Sequence, residues 1–167
     1  KLFSYKLFDV SSYDNWQSFH DWLVENNIAP DVLINNAGVL PRFDRLMNYS
    51  KEEIDESINI DFYSAAYSSK IMLPLLMKSE TPAIINVASS AALMALGGTS
   101  MYSASKAAVK GLTEAMREEL RGEAYIGLVC PGFTKTDIFR NQGETNGMDL
   151  INMVSTPCHK AVNRILK

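Results

Sequence analysis

Ala83-Ile84-Ile85-Asn86-Val87-Ala88 decides the fold: a run apolar but for one amide, passing directly into the hydroxyls of Ser89 and Ser90. Apolarity without alternation marks a strand buried between layers, as parallel strands are, rather than one face of a hairpin. Tyr5 to Val10, Asp31 to Asn36 and Ile126 to Cys130 read the same way. The segments between them have helical periodicity. Tyr13 to Asn26 reads as a helix opened by Ser11 or Ser12, and Ser50-Lys51-Glu52-Glu53 is a capping box starting a helix that reaches towards Lys78. Pro74 is predicted to kink or end that helix. A third helix, about Met101 to Arg121, stops at Gly122. Strands alternating with helices predict βαβ units in a doubly wound, parallel α/β sheet. Further on, Asn141 to Gly147 reads as a polar loop, and Leu150 to Lys167 as an amphipathic helix interrupted near Pro157.

Length and composition narrow the function classes. The chain has 167 residues, 47% of them hydrophobic, which suits one domain with one core. Its 16 basic and 19 acidic residues give a net charge of −3, so no broad cationic surface for nucleic acid is expected. The most apolar stretches are Ile71 to Met77, between Lys70 and Lys78, and Ala83 to Gly98, interrupted by Asn86, Ser89 and Ser90. Both fall short of the roughly 18 clean apolar residues of a bilayer span, so no membrane partner is expected. Cys130 and Cys158 form no CxxC, and the chain has 2 histidines. Neither a structural metal nor a disulfide framework is expected, and a reducing, cytoplasmic setting fits best.

Tyr102-Ser103-Ala104-Ser105-Lys106 carries the strongest chemical signal. Four residues make about one helical turn, so phenol and ammonium share a face and can share a ligand. A tyrosine ionises near pH 10, and a neighbouring cation favours its phenolate. Ser89 stands just past the strand Ala83 to Ala88, where ligands of open α/β sheets bind, and its hydroxyl can hold a carbonyl oxygen. Asn59, flanked by Ile58 and Ile60, is an amide that needs a partner inside a helix. Asn35-Asn36-Ala37-Gly38 and Pro131-Gly132, with Thr136 beyond, are small-residue turns at carboxyl ends of strands, where backbone can approach a ligand closely. All of these groups fall on one edge of the predicted sheet.

Those motifs together bring out a likeness. Asp9 to Ser11, Asn35 to Gly38, Asn59, Ser89, Tyr102 to Lys106 and Pro131 to Thr136 stand in an order and approximate spacing that resembles the short-chain dehydrogenase/reductases over nearly the whole chain. The resemblance implies a single, partial Rossmann-type domain over residues 1–167 and an oxidoreductase using NAD or NADP on a small-molecule alcohol or carbonyl substrate. It implies Tyr102 as acid or base on the substrate oxygen. Lys106 would lower the phenol's pKa while gripping the nicotinamide ribose. Ser89 would position the oxygen, and Asn59 would support a water-linked proton relay. By the same likeness Asp9 and Val10 would touch the adenine, and Asn35, Ala37 and Gly38 would line the middle of the cofactor. Pro131, Gly132, Thr134 and Thr136 would border the nicotinamide. It also implies a homodimer or homotetramer built on the two long helices, whose apolar residues (Ala107, Val109 and Leu112 in one, Ile71, Leu73 and Leu75 in the other) occupy more than one face.

The sequence departs from the family at one place. Its first glycine is Gly38, so no glycine-rich phosphate loop precedes the site. With Tyr5 to Val10 taken as strand 3 of a 3-2-1-4-5-6 order, nothing fills the gap between it and Asp31 to Asn36. The expectation is a longer protein with a first βαβ unit ahead of Lys1 and a C-terminus that is also cut. The alternative reading is a non-catalytic binding or assembly module unable to hold a dinucleotide. A serine hydrolase lacks support, because Val87-Ala88-Ser89-Ser90-Ala91 is not GxSxG. His20 reads as structural beside Trp16 and Trp22, Cys130 as a buried strand residue, and Met72, Met77 and Met116 as core or interface. Specificity is expected from about Thr134 to Ile151, where Ile138, Phe139 and Met148, next to Phe133, indicate a partly apolar pocket.

Overall fold

The computed structural model describes residues 4–139 and 153–165. Three parallel strands form the sheet, β1 (Val32–Asn35), β2 (Ala83–Val87) and β3 (Tyr125–Val129), in the order β1-β2-β3. The register runs from Val32 opposite Ala83 to Asn35 opposite Asn86, and from Ala83 opposite Tyr125 to Val87 opposite Val129. Each connection is a helical crossover, as parallel pairing demands. The expected α/β class with a parallel sheet is therefore present.

Helix α1 (Tyr13–Glu25) starts where the Ser12 hydroxyl accepts the Asn15 N–H at 3.3 Å. Helix α2 (Lys51–Ile58) opens on the full capping box, in which Ser50 Oγ accepts the Glu53 N–H and the Glu53 carboxylate accepts the Ser50 N–H at 2.8 Å. A π-helical turn (Asn59–Tyr63) joins it to α3 (Ser64–Leu76). Pro74 lies inside α3, in its last turn and exposed, so the helix runs through it and stops at Leu76. The ring's clash and missing donor act too close to the end to break more than the final turn. Helix α4 (Ser100–Glu119) is followed by Gly122 at φ +83, a left-handed position that glycine occupies without strain. Past the sheet, β4 (Thr134–Lys135) pairs in parallel with β5 (Thr156–Pro157), and Pro157 leads directly into α5 (Cys158–Ile165). The polar loop Asn141 to Gly147 and Met148 lie outside the described residues.

The main core joins α1, α3 and α4 to the sheet through Trp16, Leu23, Ile71, Met72, Leu76, Ile84, Met116 and Ile126. Burying a side chain of this size contributes roughly 1.5 to 3 kcal/mol. Met72 and Met116 are core, as read, whereas Met77 ends α3 and is 38% exposed. His20 is half-buried on α1 with Nδ1 2.9 Å from Asp21 Oδ1.

Two expectations change. Tyr5 to Val10 pairs with no strand among the described residues: Phe8 and Val10 pack on the core, while Tyr5 and Leu7 face solvent. An apolar run has β-propensity, but a strand exists only where a neighbour takes its backbone groups, and here the run is held by aromatic packing of Phe8 on Trp16 and Phe19 instead. The sheet is also not layered evenly among the described residues. Val32, Ile34 and Tyr125, on the face away from Ile84 and Ile126, are 50%, 62% and 67% exposed. No helix among the described residues is long and apolar enough to cross a membrane.

Candidate active site

Ser89 leaves β2 in extended backbone, at φ −165 and ψ 160, and its hydroxyl accepts the Ala91 N–H at 3.2 Å. The Ala88 and Ser90 N–H groups, on either side, donate to Val129 and Pro131 carbonyls, both at 2.8 Å, which ties the ends of β2 and β3 together. Tyr102 sits in the first turn of α4, one turn before Lys106, as the spacing requires. That turn is fixed by Thr99, whose carbonyl accepts the Ser103 N–H at 2.8 Å and whose hydroxyl meets the Ser103 hydroxyl at 2.9 Å. The same helix buries Ser105, Lys106, Val109 and Thr113.

Lys106 is 3% exposed, and its Nζ lies 3.6 Å from Oδ1 of Asp61, which is 1% exposed. Asp61 comes from the π turn. Its Oδ1 accepts the Val39 N–H at 2.8 Å and its Oδ2 accepts the Ser105 hydroxyl at 2.7 Å. Gly38 packs flush on this pair: a Cβ there would come within 2.8 Å of Lys106 Nζ and 3.1 Å of Asp61 Oδ1.

A cavity of about 550 Å3 opens at the carboxyl edge of the sheet and brings together Asn36, Gly38, Ser89, Tyr102, Lys106, Pro131, Gly132, Thr134 and Thr136. Phe43, Met94, Leu96, Phe139, Val162 and Ile165 form its apolar walls. Other expected site residues lie apart from it. The Asp9 carboxylate accepts from the backbone and hydroxyl of Ser11, at 2.9 and 2.7 Å, and the Val10 carbonyl accepts from the Trp16 indole at 2.8 Å. The Asn35 amide faces α3 and β2, bonding Ser68, Ser69 and Asn86. Ala37 is exposed. Asn59 is half-buried and gives its carbonyl to the Ser64 N–H, closing the π turn.

The electrostatics differ from the simple expectation of a phenol acidified by its lysine. Burial pushes the Tyr102 phenol above its ordinary range; the Ser89 side chain, hydrogen-bonding to it, opposes that rise, and the Asp61 charge adds to it. The ammonium of Lys106 faces Asp61 and lies 5.7 Å from the centre of the Tyr102 ring. Burial pulls Lys106 down and pushes Asp61 up, each against the attraction of the other. Asp61 itself was not among the residues singled out from the sequence. Its signal was an acid between Ile60 and Phe62, two positions past Asn59, in a helix otherwise turning apolar.

The geometry places a serine, a tyrosine and a lysine at one sheet edge, and comparison with known proteins gives that arrangement a lineage. A model of the short chain dehydrogenase family matches residues 2–147. The chain belongs to the short-chain dehydrogenases. Among relatives in this family, the ketoacyl reductase HetN of Nostoc sp. is 37% identical over 128 residues, covering 76% of this chain and 41% of that protein. The 11-beta-hydroxysteroid dehydrogenase-like 2 of Arabidopsis thaliana is 32% identical over 159 residues, covering 93% of this chain and 51% of that protein. The solved structure of ElxO with NADP bound superimposes with a TM-score of 0.76 at 25% identity, covering 88% of this chain and 58% of that one. The chain thus spans about half the length of the short-chain dehydrogenases it matches.

Proposed function

We propose that this chain carries the substrate and nicotinamide side of an NAD- or NADP-dependent oxidoreductase that interconverts an alcohol and a ketone or aldehyde. The observation that carries this reading is the convergence of Ser89, Tyr102 and Lys106 on one cavity at the carboxyl edge of a parallel sheet. The residues fit the nicotinamide end of a dinucleotide there. A Cβ at Gly132 would meet nothing, so its backbone borders open space, and Gly38 brings backbone against the lysine without a side chain between.

When bound, the nicotinamide supplies or accepts the hydride. Tyr102 donates its proton to the carbonyl oxygen as that oxygen gains charge, and takes it back in the oxidative direction. Ser89 holds the same oxygen with its hydroxyl. Preorganised donors of this kind stabilise the developing alkoxide, and general acid help is worth about 100- to 10,000-fold. Lys106 would hold the ribose, and it supplies positive charge near the phenol. Asn59 would support a water-linked relay, Asp9 and Val10 would face the adenine, Asn35, Ala37 and Gly38 would line the middle of the cofactor, Asn35 with its backbone since its amide is turned to Asn86 and Ser68, and Pro131, Thr134 and Thr136 would border the nicotinamide. The apolar walls favour an uncharged, largely apolar substrate.

A homodimer or homotetramer belongs to the same reading, supported by Tyr63, 39% exposed and stacked on Tyr67 at the start of α3. Light scattering at a monomer mass would count against it. Two free cysteines support a reducing, cytoplasmic setting. The test of the activity is Tyr102→Phe, which abolishes turnover yet leaves the fluorescence titration with NADH or NADPH nearly unchanged. Unchanged turnover would refute the assignment, and a wild-type chain that binds neither nucleotide would favour a non-catalytic module.

A further inference from the structure

We propose that Asp61 is a positioning residue for the acid/base pair: its carboxylate, pinned at both oxygens, draws the Lys106 ammonium towards itself and so restrains ionisation of Tyr102. This rests on Tyr102 being the proton-transfer group of the proposed reaction. Three observations converge on it. Asp61 is fully enclosed, and its oxygens are directed by Val39 N–H at 2.8 Å and by the Ser105 hydroxyl at 2.7 Å, so the carboxylate cannot turn away. Lys106 is equally enclosed, with its Nζ 3.6 Å from Oδ1. The carboxylate reaches this point because the chain takes a π turn from Asn59 to Tyr63, a distortion that seldom persists without a use.

The charge arithmetic gives the sign. Among the described residues, the titratable groups facing the Lys106 ammonium are Asp61 from the π turn and Tyr102 from its own helix; Lys110, further along α4, is paired with Glu114 on a more exposed face. With Asp61 ionised and Lys106 protonated the enclosed site is neutral, and ionising Tyr102 would leave it at −1. Without the carboxylate the site begins at +1, and loss of one proton from the Tyr102 and Lys106 pair makes it neutral. In surroundings of low polarity the second route is much the easier, so the pair surrenders its first proton at lower pH. The Asp61 charge also acts on the phenol itself, pushing its pKa up, so the carboxylate favours the protonated phenol that the reducing direction requires.

The test is a tyrosinate absorbance titration of the folded chain, which needs neither cofactor nor substrate. Subtracting the same titration of Tyr102→Phe isolates Tyr102 from the other tyrosines, and near-ultraviolet circular dichroism confirms that each variant is folded. Asp61→Asn keeps the shape and the bond from the Val39 N–H, with its amide nitrogen donating to Ser105 Oγ in place of the bond the carboxylate accepted, but removes the charge, and it should move the Tyr102 transition down by about one pH unit. Asp61→Ser serves as a second charge-removing variant should Asn fail to fold. Ser105→Ala breaks one hydrogen bond and keeps the carboxylate, so it should move the transition less than half as far. A folded Asp61→Asn or Asp61→Ser with the transition in its wild-type place would overturn the proposal, as would an equal shift in Ser105→Ala. Turnover that survives Tyr102→Phe would instead overturn the function on which this inference stands, so the two failures are distinguishable.

Discussion

Asn35 on β1 and Asn86 on β2 are direct register partners, and their amides hydrogen-bond across the strands at 2.8 Å. The Asn35 oxygen accepts from the Ser68 hydroxyl at 2.7 Å, and Asn86 donates to Thr113 Oγ1 at 2.9 Å. One polar thread thus joins α3, β1, β2 and α4 through the interior.

Cutting that thread at its centre should be expensive. Asn86→Leu leaves the Asn35 amide short of an acceptor and puts an apolar group against Thr113, and each stranded buried group costs about 1 to 3 kcal/mol. We expect a loss of about 2 kcal/mol in chemical denaturation. A midpoint equal to wild type would show that the amides are replaceable by packing.

Alkaline stability should carry the signature of Tyr102. Burial raises its folded-state pKa above the ordinary 10.0, so above that pH the unfolded chain binds fewer protons than the folded one. Its contribution is intact below about pH 10 and is lost as pH climbs through the folded value. Tyr102→Phe should therefore lose less stability than wild type between neutral and strongly alkaline pH. A residual fall should persist from Tyr49, which burial shifts the same way. Parallel falls in the two proteins would contradict the burial argument.

Gly38→Ala places a methyl group 2.8 Å from Lys106 Nζ, closer than van der Waals contact allows. The ammonium is enclosed and must move to make room. Affinity for the nicotinamide nucleotide should fall at least tenfold, about 1.4 kcal/mol, in a fluorescence titration, with little change in melting temperature. Unaltered affinity would mean that neither Gly38 nor the lysine's position matters to binding.

Ser50→Ala removes half of the capping box on α2. The expected cost is about 1 kcal/mol, read as a lowered denaturation midpoint, with nucleotide binding untouched because Ser50 does not line the cavity.

Local chemistry made much of this legible. Ser12 and Ser50 cap the helices they were expected to cap, and the three strands of the sheet lie within about a residue of where apolar runs put them. Tyr102 and Lys106 share a face because a helix leaves them no alternative. What could not be read depends on partners distant in sequence. Tyr5 to Val10 has the composition of a strand, but pairing is a property of two segments. The family likeness puts Asn35 beside the cofactor but says nothing of its amide, which strand alternation sends to Asn86 and Ser68. Asp61 escaped notice because nothing local announces a π turn, and it is that extra residue which aims the carboxylate at Lys106.

The turn from Asn59 to Tyr63 also preserves the phase of everything after it. Successive residues of a helix advance by about 100° around its axis. A π turn takes up one residue more than an α turn, so deleting one residue there would let α2 and α3 merge into a regular rod with Ser68, Ile71, Met72 and Leu75 still facing the interior. What such a shortening would forfeit is the bulge itself, and with it the hold of Val39, Ser105 and Lys106 on a carboxylate, so the fold could outlive the loss while the site could not.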